Sequence, residues 1–184
     1  MITQNWVKRL RSRLSLKIEP VDENCKCAAV SVMLTGDNDI ETLMIKRLVK
    51  HDDPWSGQIA FPGGRFKAGD GNLLSTMIRE VYEELGINLA GQGEIIGSLS
   101  IVSPGNVPDL KVTPYVVALK KKPMIIPSHE EVEKAFWVKL NELRPGESEV
   151  ITVLGPRVVS GFFYKNYFIW GMTSRILKEL LALL

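Results

Sequence analysis

Residues 57–87 read GQIAFPGGRFKAGDGNLLSTMIREVYEELGI, and this stretch decides the fold. Its second half has the pattern of an amphipathic helix over 73–85, with Leu74, Met77, Ile78, Val81 and Leu85 on one face and Gly86 closing it as a C-cap. With Glu80 at zero on a helical wheel, Glu84 falls at roughly +40° and Glu83 at roughly −60°, so three carboxylates share an arc of about 100°. Like charges at these spacings repel by ~0.2–0.5 kcal/mol per pair on an exposed helix. The macrodipole near a helix C-terminus also opposes negative charge. A cluster set against both effects suits a cation, and magnesium, a hard ion that prefers carboxylate oxygens and commonly co-binds phosphate, fits best. An acidic helix face in water is the plainer alternative for the helix alone. The bend before it, FPGGRFKAGD (61–70), favours the cation reading, because a backbone without side chains at Gly63 and Gly64 can approach a phosphate or turn a carbonyl to a metal.

Around this helix the chain alternates between extended and helical patterns. Strands are predicted at 25–34 and 41–47 as a hairpin across TGDND, at 94–102, at 111–119 and at 134–140, with a further strand or hairpin over 157–170. Residues 48–57 and 120–132 read as loops, and 170–184 as a last helix whose leucine-rich end packs in the core or forms a seam for a homodimer. Strands interspersed with helices predict an α/β domain in which helices sandwich a mixed sheet.

The 184 residues are the size of one ordinary domain, with 45% hydrophobic and 24% charged residues. No uninterrupted apolar run reaches the ~18 residues of a membrane span, and stable membrane association is not expected. A net charge of +2 gives no ground for a nucleic-acid partner. Residues 1–20 are set apart by Lys8, Arg9, Arg11, Arg13 and Lys17 against Glu19, with Trp6, Leu10, Leu14 and Ile18 at every fourth position. They predict a basic amphipathic helix ahead of a single domain at 21–184, packing its stripe on the body; membrane contact or organelle targeting is the alternative. Otherwise the expectation is a cytoplasmic protein. Cys25 and Cys27 are expected to be buried small apolar residues in a reducing compartment, since zinc would need about two more ligands.

The segment GGRFKAGD–GNLLSTMI–REVYEELGI resembles the Nudix box, G-x5-E-x7-R-E-U-x-E-E-x-G-U with U aliphatic, through Gly64, Arg79, Glu80, Val81, Glu83, Glu84, Gly86 and Ile87. Two positions depart from it. Asp70 stands for the first Glu, and eight residues rather than seven separate it from Arg79. Both departures resemble the coenzyme A pyrophosphatase branch, as do the preceding GQIAFPGG (57–64) and the segments EVEKAFWVKL (131–140) and IWGMTSRIL (169–177). The branch's upstream L-L-T-x-R-S signature is absent, the strand here reading TLMIKRLVKH (42–51).

The resemblance implies a Nudix-type α/β/α sandwich that hydrolyses a nucleoside diphosphate linked to a further group, with Mg2+ as cofactor and Mn2+ as its substitute. It implies Glu80, Glu83 and Glu84 as metal ligands, completed by the Gly64 carbonyl, with Arg79 holding them by ion pairs and Asp70 supporting the loop. Glu80, or Glu131 or Glu130 in the late loop, would take the proton from water. Arg47, Gln58, Gly63 and Arg65 would meet the nucleotide substrate. Coenzyme A or acyl-coenzyme A is the expected substrate; ADP-ribose, dinucleoside polyphosphates and nucleoside triphosphates are the alternatives. A silent nucleotide-binding module is the other class, and the three retained glutamates favour the hydrolase.

Overall fold

The structure, a computed structural model, describes residues 4–18, 21–22, 24–51, 53–152 and 155–184. The elements are α1 (Asn5–Arg11), β1 (Cys27–Thr35), β2 (Glu41–Arg47), β3 (Ile59–Ala60), β4 (Gly63–Arg65), α2 (Leu73–Leu85), β5 (Gly93–Ser98) and β6 (Lys111–Leu119), then β7 (Val132–Lys139), β8 (Arg144–Thr152), β9 (Gly155–Tyr164), β10 (Tyr167–Trp170) and α3 (Gly171–Leu183). A seven-stranded sheet runs β3-β2-β1-β6-β5, with β4 added to β1 and β7 to β2, and β8, β9 and β10 form a second, antiparallel sheet. The large sheet is mixed, since β1 and β6 are parallel while β1 with β2, β2 with β7 and β5 with β6 are antiparallel.

Alternation along the central strands explains the layering. Ala29 and Met33 of β1 and Tyr115, Val117 and Leu119 of β6 pack with Met77, Val81 and Leu85 of α2. Their neighbours Val30, Val32 and Leu34, with Val116 and Ala118, point the other way and pack with Trp6 and Leu10 of α1 and Ile176, Leu177 and Leu180 of α3. Strands covered on both faces read as nearly continuous apolar runs, and β1 and β6 do. The result is the expected α/β/α sandwich.

One irregularity shapes the site. β1 and β2 pair only at Leu34↔Thr42 and Thr35↔Glu41 and then part. In the opening, β3 pairs with β2 at Ile45 and Lys46, and β4 pairs with β1 from Ala28 to Val30. The Phe61–Gly64 bend is thereby carried into the middle of the sheet. Gly63 has φ +145°, and a Cβ there would overlap the Ala29 carbonyl.

Several expectations are corrected. The leading helix stops at Arg11, not at residue 20; Leu14 reaches the core from beyond its end, Ser15 bridges to Ser98, and Ile18 is exposed. Residues 1–3, 19 and 20 of that expected segment lie outside the described residues. The reason is that a stripe of four spaced residues does not itself set helix length, and the chain makes a sheet contact instead. Packing of the stripe on the body holds for Trp6 and Leu10, and Trp6 Nε1 donates to the Gly36 carbonyl at 2.7 Å. Strand β8 was not expected at all. Cys25 and Cys27 are half-buried rather than buried, and they face each other across Lys26 with their Cα atoms 5.2 Å apart. Among the described residues no helix is long and apolar enough to cross a membrane.

If α1 is part of the fold, Leu10→Ala will cost ~2–5 kcal/mol, because Leu10 is fully buried against the α3 side of the sheet. Urea unfolding of the variant against the parent checks this.

Candidate active site

α2 is fixed at both ends. Asn72 caps it by accepting from the Ser75 N–H at 2.9 Å, and Gly86 closes it in the left-handed region at φ 65°, its N–H donating to the Tyr82 carbonyl. The late loop is tied to the same end, since the N–H groups of Ile126 and Ser128 donate to the carbonyls of Leu85 and Glu84, both at 2.8 Å. Those bonds satisfy helix-end carbonyls that otherwise lack partners, and they bring the loop's Glu131 to the site.

Arg79 organises the carboxylates. Its Nε and Nη2 donate to the two oxygens of Asp70 at 2.8 and 2.9 Å, and its Nη1 donates to Glu80 at 2.7 Å and to Glu83 at 2.9 Å. Nη2 also reaches the Arg65 carbonyl at 3.1 Å. Asp70 is held in turn by the Lys67 N–H at 3.0 Å and the Thr76 hydroxyl at 2.8 Å. The extra residue between Asp70 and Arg79 is therefore absorbed in the loop, and the shorter side chain still makes a bidentate pair. With so many donors, led by Arg79, the Asp70 carboxyl lies well below its ordinary range, and the same bond raises Arg79.

Glu84 is the opposite case. It is 1% exposed, and its side chain accepts from the Gly63 N–H at 2.8 Å. Burial pushes its carboxyl up to about 8; the charges of Glu80 and Glu131 add to the rise, against the Gly63 bond and Arg47. Burial raises Glu80 as well, with Arg79 pulling the other way. Gly64 lies against Glu80 so closely that a Cβ would overlap its carboxyl.

Glu80, Glu83, Glu84, Gly63, Gly64, Arg65, Arg47, Gln58 and Glu131 all border one cavity of about 1130 Å³. Arg79 stands behind the glutamates and meets them by the bonds just described. Glu130 is exposed, and it is its neighbour Glu131 that reaches the cavity wall. Arg47 is braced, its Nη2 on Asp53 at 2.6 Å, and Lys67 leans on Glu83 at 3.3 Å. Other walls were not anticipated from the sequence: Ile151, Arg157 and Val159 of the β8–β9 hairpin, and Trp170, Met172 and Thr173 at the start of α3. Only the IWGMTSRIL segment carried any signal of them.

The NUDIX domain pattern matches residues 26–154. The chain belongs to the Nudix hydrolase family. Its curated relatives include the Nudix hydrolases NudL of Enterobacter sp. (strain 638), 31% identical over 85% of this chain and 82% of the relative, and of Citrobacter koseri, 35% identical over 73% and 68%. Among solved structures, a MutT/nudix family protein from Enterococcus faecalis superposes with a TM-score of 0.56 at 15% identity, covering 99% of this chain and 74% of the other. An Ap4A hydrolase of C. elegans gives 0.51 at 22% identity over 62% and 80%. These structural likenesses speak for the Nudix fold.

Nudix hydrolases act on nucleoside diphosphate-linked substrates and typically use divalent metal ions such as Mg2+. The donors of this Nudix box suit such an ion: two buried carboxylates, Glu80 and Glu84, border a cavity that Glu131 also borders. Among the described residues no three His, Cys, Asp or Glu side chains already converge as a ligand set. Two carboxylates with waters and substrate phosphates completing the sphere is an arrangement magnesium commonly takes.

The Glu84 shift predicts a pH dependence. An unfolded chain releases that proton near 4.5 and the folded protein near 8, so between these values the native state carries the extra proton. Metal-free stability therefore falls as pH rises through that window. Glu84→Gln will flatten the fall, read as urea midpoints in chelator at about pH 5 and about pH 8.

Proposed function

We propose that the chain is a magnesium-dependent pyrophosphohydrolase of coenzyme A or its acyl derivatives, releasing 3′,5′-ADP and 4′-phosphopantetheine or its acyl form. The observation that carries this reading is the mixed lining of the cavity. Acidic and basic groups, Glu80, Glu84, Arg47 and Arg65, border it together with the apolar residues Leu110, Val112, Ile151, Val159 and Met172. A diphosphate needs the first set and an apolar pantetheine arm the second. The GQIAFPGG stretch and the displaced Asp70 point the same way.

In this reading Glu80, Glu83 and Glu84, with the Gly64 carbonyl, hold the metal. Bound there, magnesium neutralises charge on the diphosphate oxygens and acidifies a water. Arg79 keeps Glu80 and Glu83 in register through its two short bonds. The Gly63 N–H fixes one oxygen of Glu84. Arg47 and Arg65 bind phosphate oxygens, Arg47 oriented by Asp53. Gln58 and the Gly63 backbone border the substrate. Glu131 or Glu80 takes the water proton on a carboxylate oxygen as the water oxygen bonds to one phosphorus. The bond from that phosphorus to the bridging oxygen breaks, and the other phosphate leaves as a monoester.

Mass spectrometry of products tests the proposal, with magnesium or manganese and a panel of coenzyme A, ADP-ribose, diadenosine polyphosphates and nucleoside triphosphates. Release of 3′,5′-ADP and 4′-phosphopantetheine ahead of all else is expected. AMP with ribose phosphate would move the enzyme to ADP-ribose, and silence across the panel would favour a nucleotide-binding module. Glu84→Gln is expected to lower kcat by ~10²–10³-fold, the equivalent of several kcal/mol of lost charge stabilisation, with the circular dichroism spectrum unchanged. Turnover retained in that variant would overturn the metal assignment.

A further inference from the structure

Two loops meet at the cavity, residues 48–58 after β2 and residues 99–110 between β5 and β6. Trp55 of the first borders it, as do Pro104, Gly105 and Asn106 of the second. The indole Nε1 of Trp55 donates to the Asn106 side-chain oxygen at 3.2 Å. Its backbone N–H donates to Asp53 Oδ1 at 3.0 Å, and its carbonyl accepts from the Gln58 N–H at 3.2 Å. All three polar groups of Trp55 are thus engaged, and its half-buried ring also packs against the core. The ring is a plate with little freedom to turn, and no aromatic ring or cation stacks on it among the described residues. Asn106 is placed in its turn. The Val107 N–H donates to the Pro104 carbonyl at 3.1 Å, and Val102 and Val112 exchange backbone bonds at 3.0 and 2.8 Å, tying the loop to β6.

The anchor of this plate is also the brace of the arginine. Asp53 gives Oδ1 to the Trp55 N–H and Oδ2 to Arg47, whose Nε and Nη2 donate at 3.1 and 2.6 Å. One carboxylate therefore sets the spacing between a guanidinium and an indole that border the same cavity. A fixed spacing suits a ligand that is itself stiff between its anion and its flat part. A nucleotide is such a ligand, since one sugar ring separates the planar base from the 5′-phosphate. A pantetheine arm has many rotatable bonds to immobilise and gains less from a fixed plate. The face of an indole also stacks on any base.

We propose that Trp55 meets the nucleobase of the substrate, with Asn106 and Asp53 as positioning residues that hold the indole in place relative to the Arg47 guanidinium. The inference rests on the proposed hydrolase reading and deepens it. It makes Trp55 a determinant of specificity for the nucleoside half of the substrate.

Calorimetry with the two expected products, magnesium present, tests this without turnover. Trp55→Leu is expected to weaken 3′,5′-ADP by about ten-fold, the loss of one base–aromatic stack, and to change 4′-phosphopantetheine by less than about two-fold. Trp55→Phe, which keeps a ring, will retain most of the affinity. Asn106→Ala will weaken 3′,5′-ADP selectively in the parent and have no further effect beside Trp55→Leu, because it acts through the indole. Asp53→Ala, which releases both Arg47 and Trp55, will weaken 3′,5′-ADP more than Trp55→Leu does. If melting curves show that Trp55→Leu does not fold, Asn106→Ala on its exposed loop supplies the same selective loss. Equal losses for the two products, a loss confined to 4′-phosphopantetheine, or 3′,5′-ADP binding that is absent in the parent or unchanged in the variants would overturn the base contact. None of these outcomes touches the hydrolase reading, which product analysis decides. A parent that leaves coenzyme A uncleaved, yet shows the selective loss of 3′,5′-ADP in Trp55→Leu, would overturn the coenzyme A reading and support the base contact.

Discussion

The Arg79 guanidinium is the contact on which the site depends. One side chain donates to Asp70, Glu80 and Glu83 and to the Arg65 carbonyl, joining the loop after β4 to the helix that follows it. Three carboxylates within an arc of about 100° of one helix would repel one another. A planar cation with several fixed donors offsets that repulsion and sets each carboxylate's direction, which a lysine with its point charge would not do. The arginine is itself positioned, because Asp70 is fixed by the Lys67 N–H and the Thr76 hydroxyl. Orientation therefore passes from loop backbone to Asp70, to Arg79 and then to the glutamates.

The second constraint is topological. Had β1 and β2 paired along their whole length, the sheet between them would be closed. Their separation after the Leu34↔Thr42 pair admits β3 and β4, each bonded to one side of the gap. The glycine bend enters the sheet there without leaving β1 or β2 with a long unpaired edge. Gly63 and Gly64 are needed at this point for two separate contacts, one with the Ala29 carbonyl and one with the Glu80 carboxyl. One cavity is bordered by residues of both α2 and α3.

The parts of this arrangement that could be read from sequence are those that are local. α2 announces itself by its 3.6-residue period and by Asn72 and Gly86 at its ends, and the glutamates, Arg79 and the two glycines lie within one contiguous stretch. The N-terminal segment misled because Leu14 occupies a core position in either conformation; the chain reaches it after leaving the helix, and the Ser15–Ser98 bridge that decides the matter is non-local. β8 was hidden for another reason. Its RPGESEVIT sequence carries Pro145 and Gly146, and its residues are exposed or half-buried throughout, so no apolar alternation marks it. Arg157 and Thr173 enter the cavity only because β9, β10 and α3 fold back upon it, and no spacing in the chain encodes that return.

Asp70 and Glu84 show how one scaffold assigns two roles to the same functional group. Both are shielded, yet burial and bonding shift their carboxyls in opposite directions. Asp70 receives two bonds from Arg79, one from the Lys67 backbone and one from Thr76. Those donors hold it ionised and use its lone pairs, so it has little left to offer a ligand. Glu84 is more deeply buried, accepts from the Gly63 N–H, and feels the charges of Glu80 and Glu131. Burial therefore favours its neutral form below about pH 8. The oxygen positions that Asp70 spends on holding Arg79 remain available on Glu84, which is why the cation is expected at the helix's C-terminal glutamates and not at the loop aspartate.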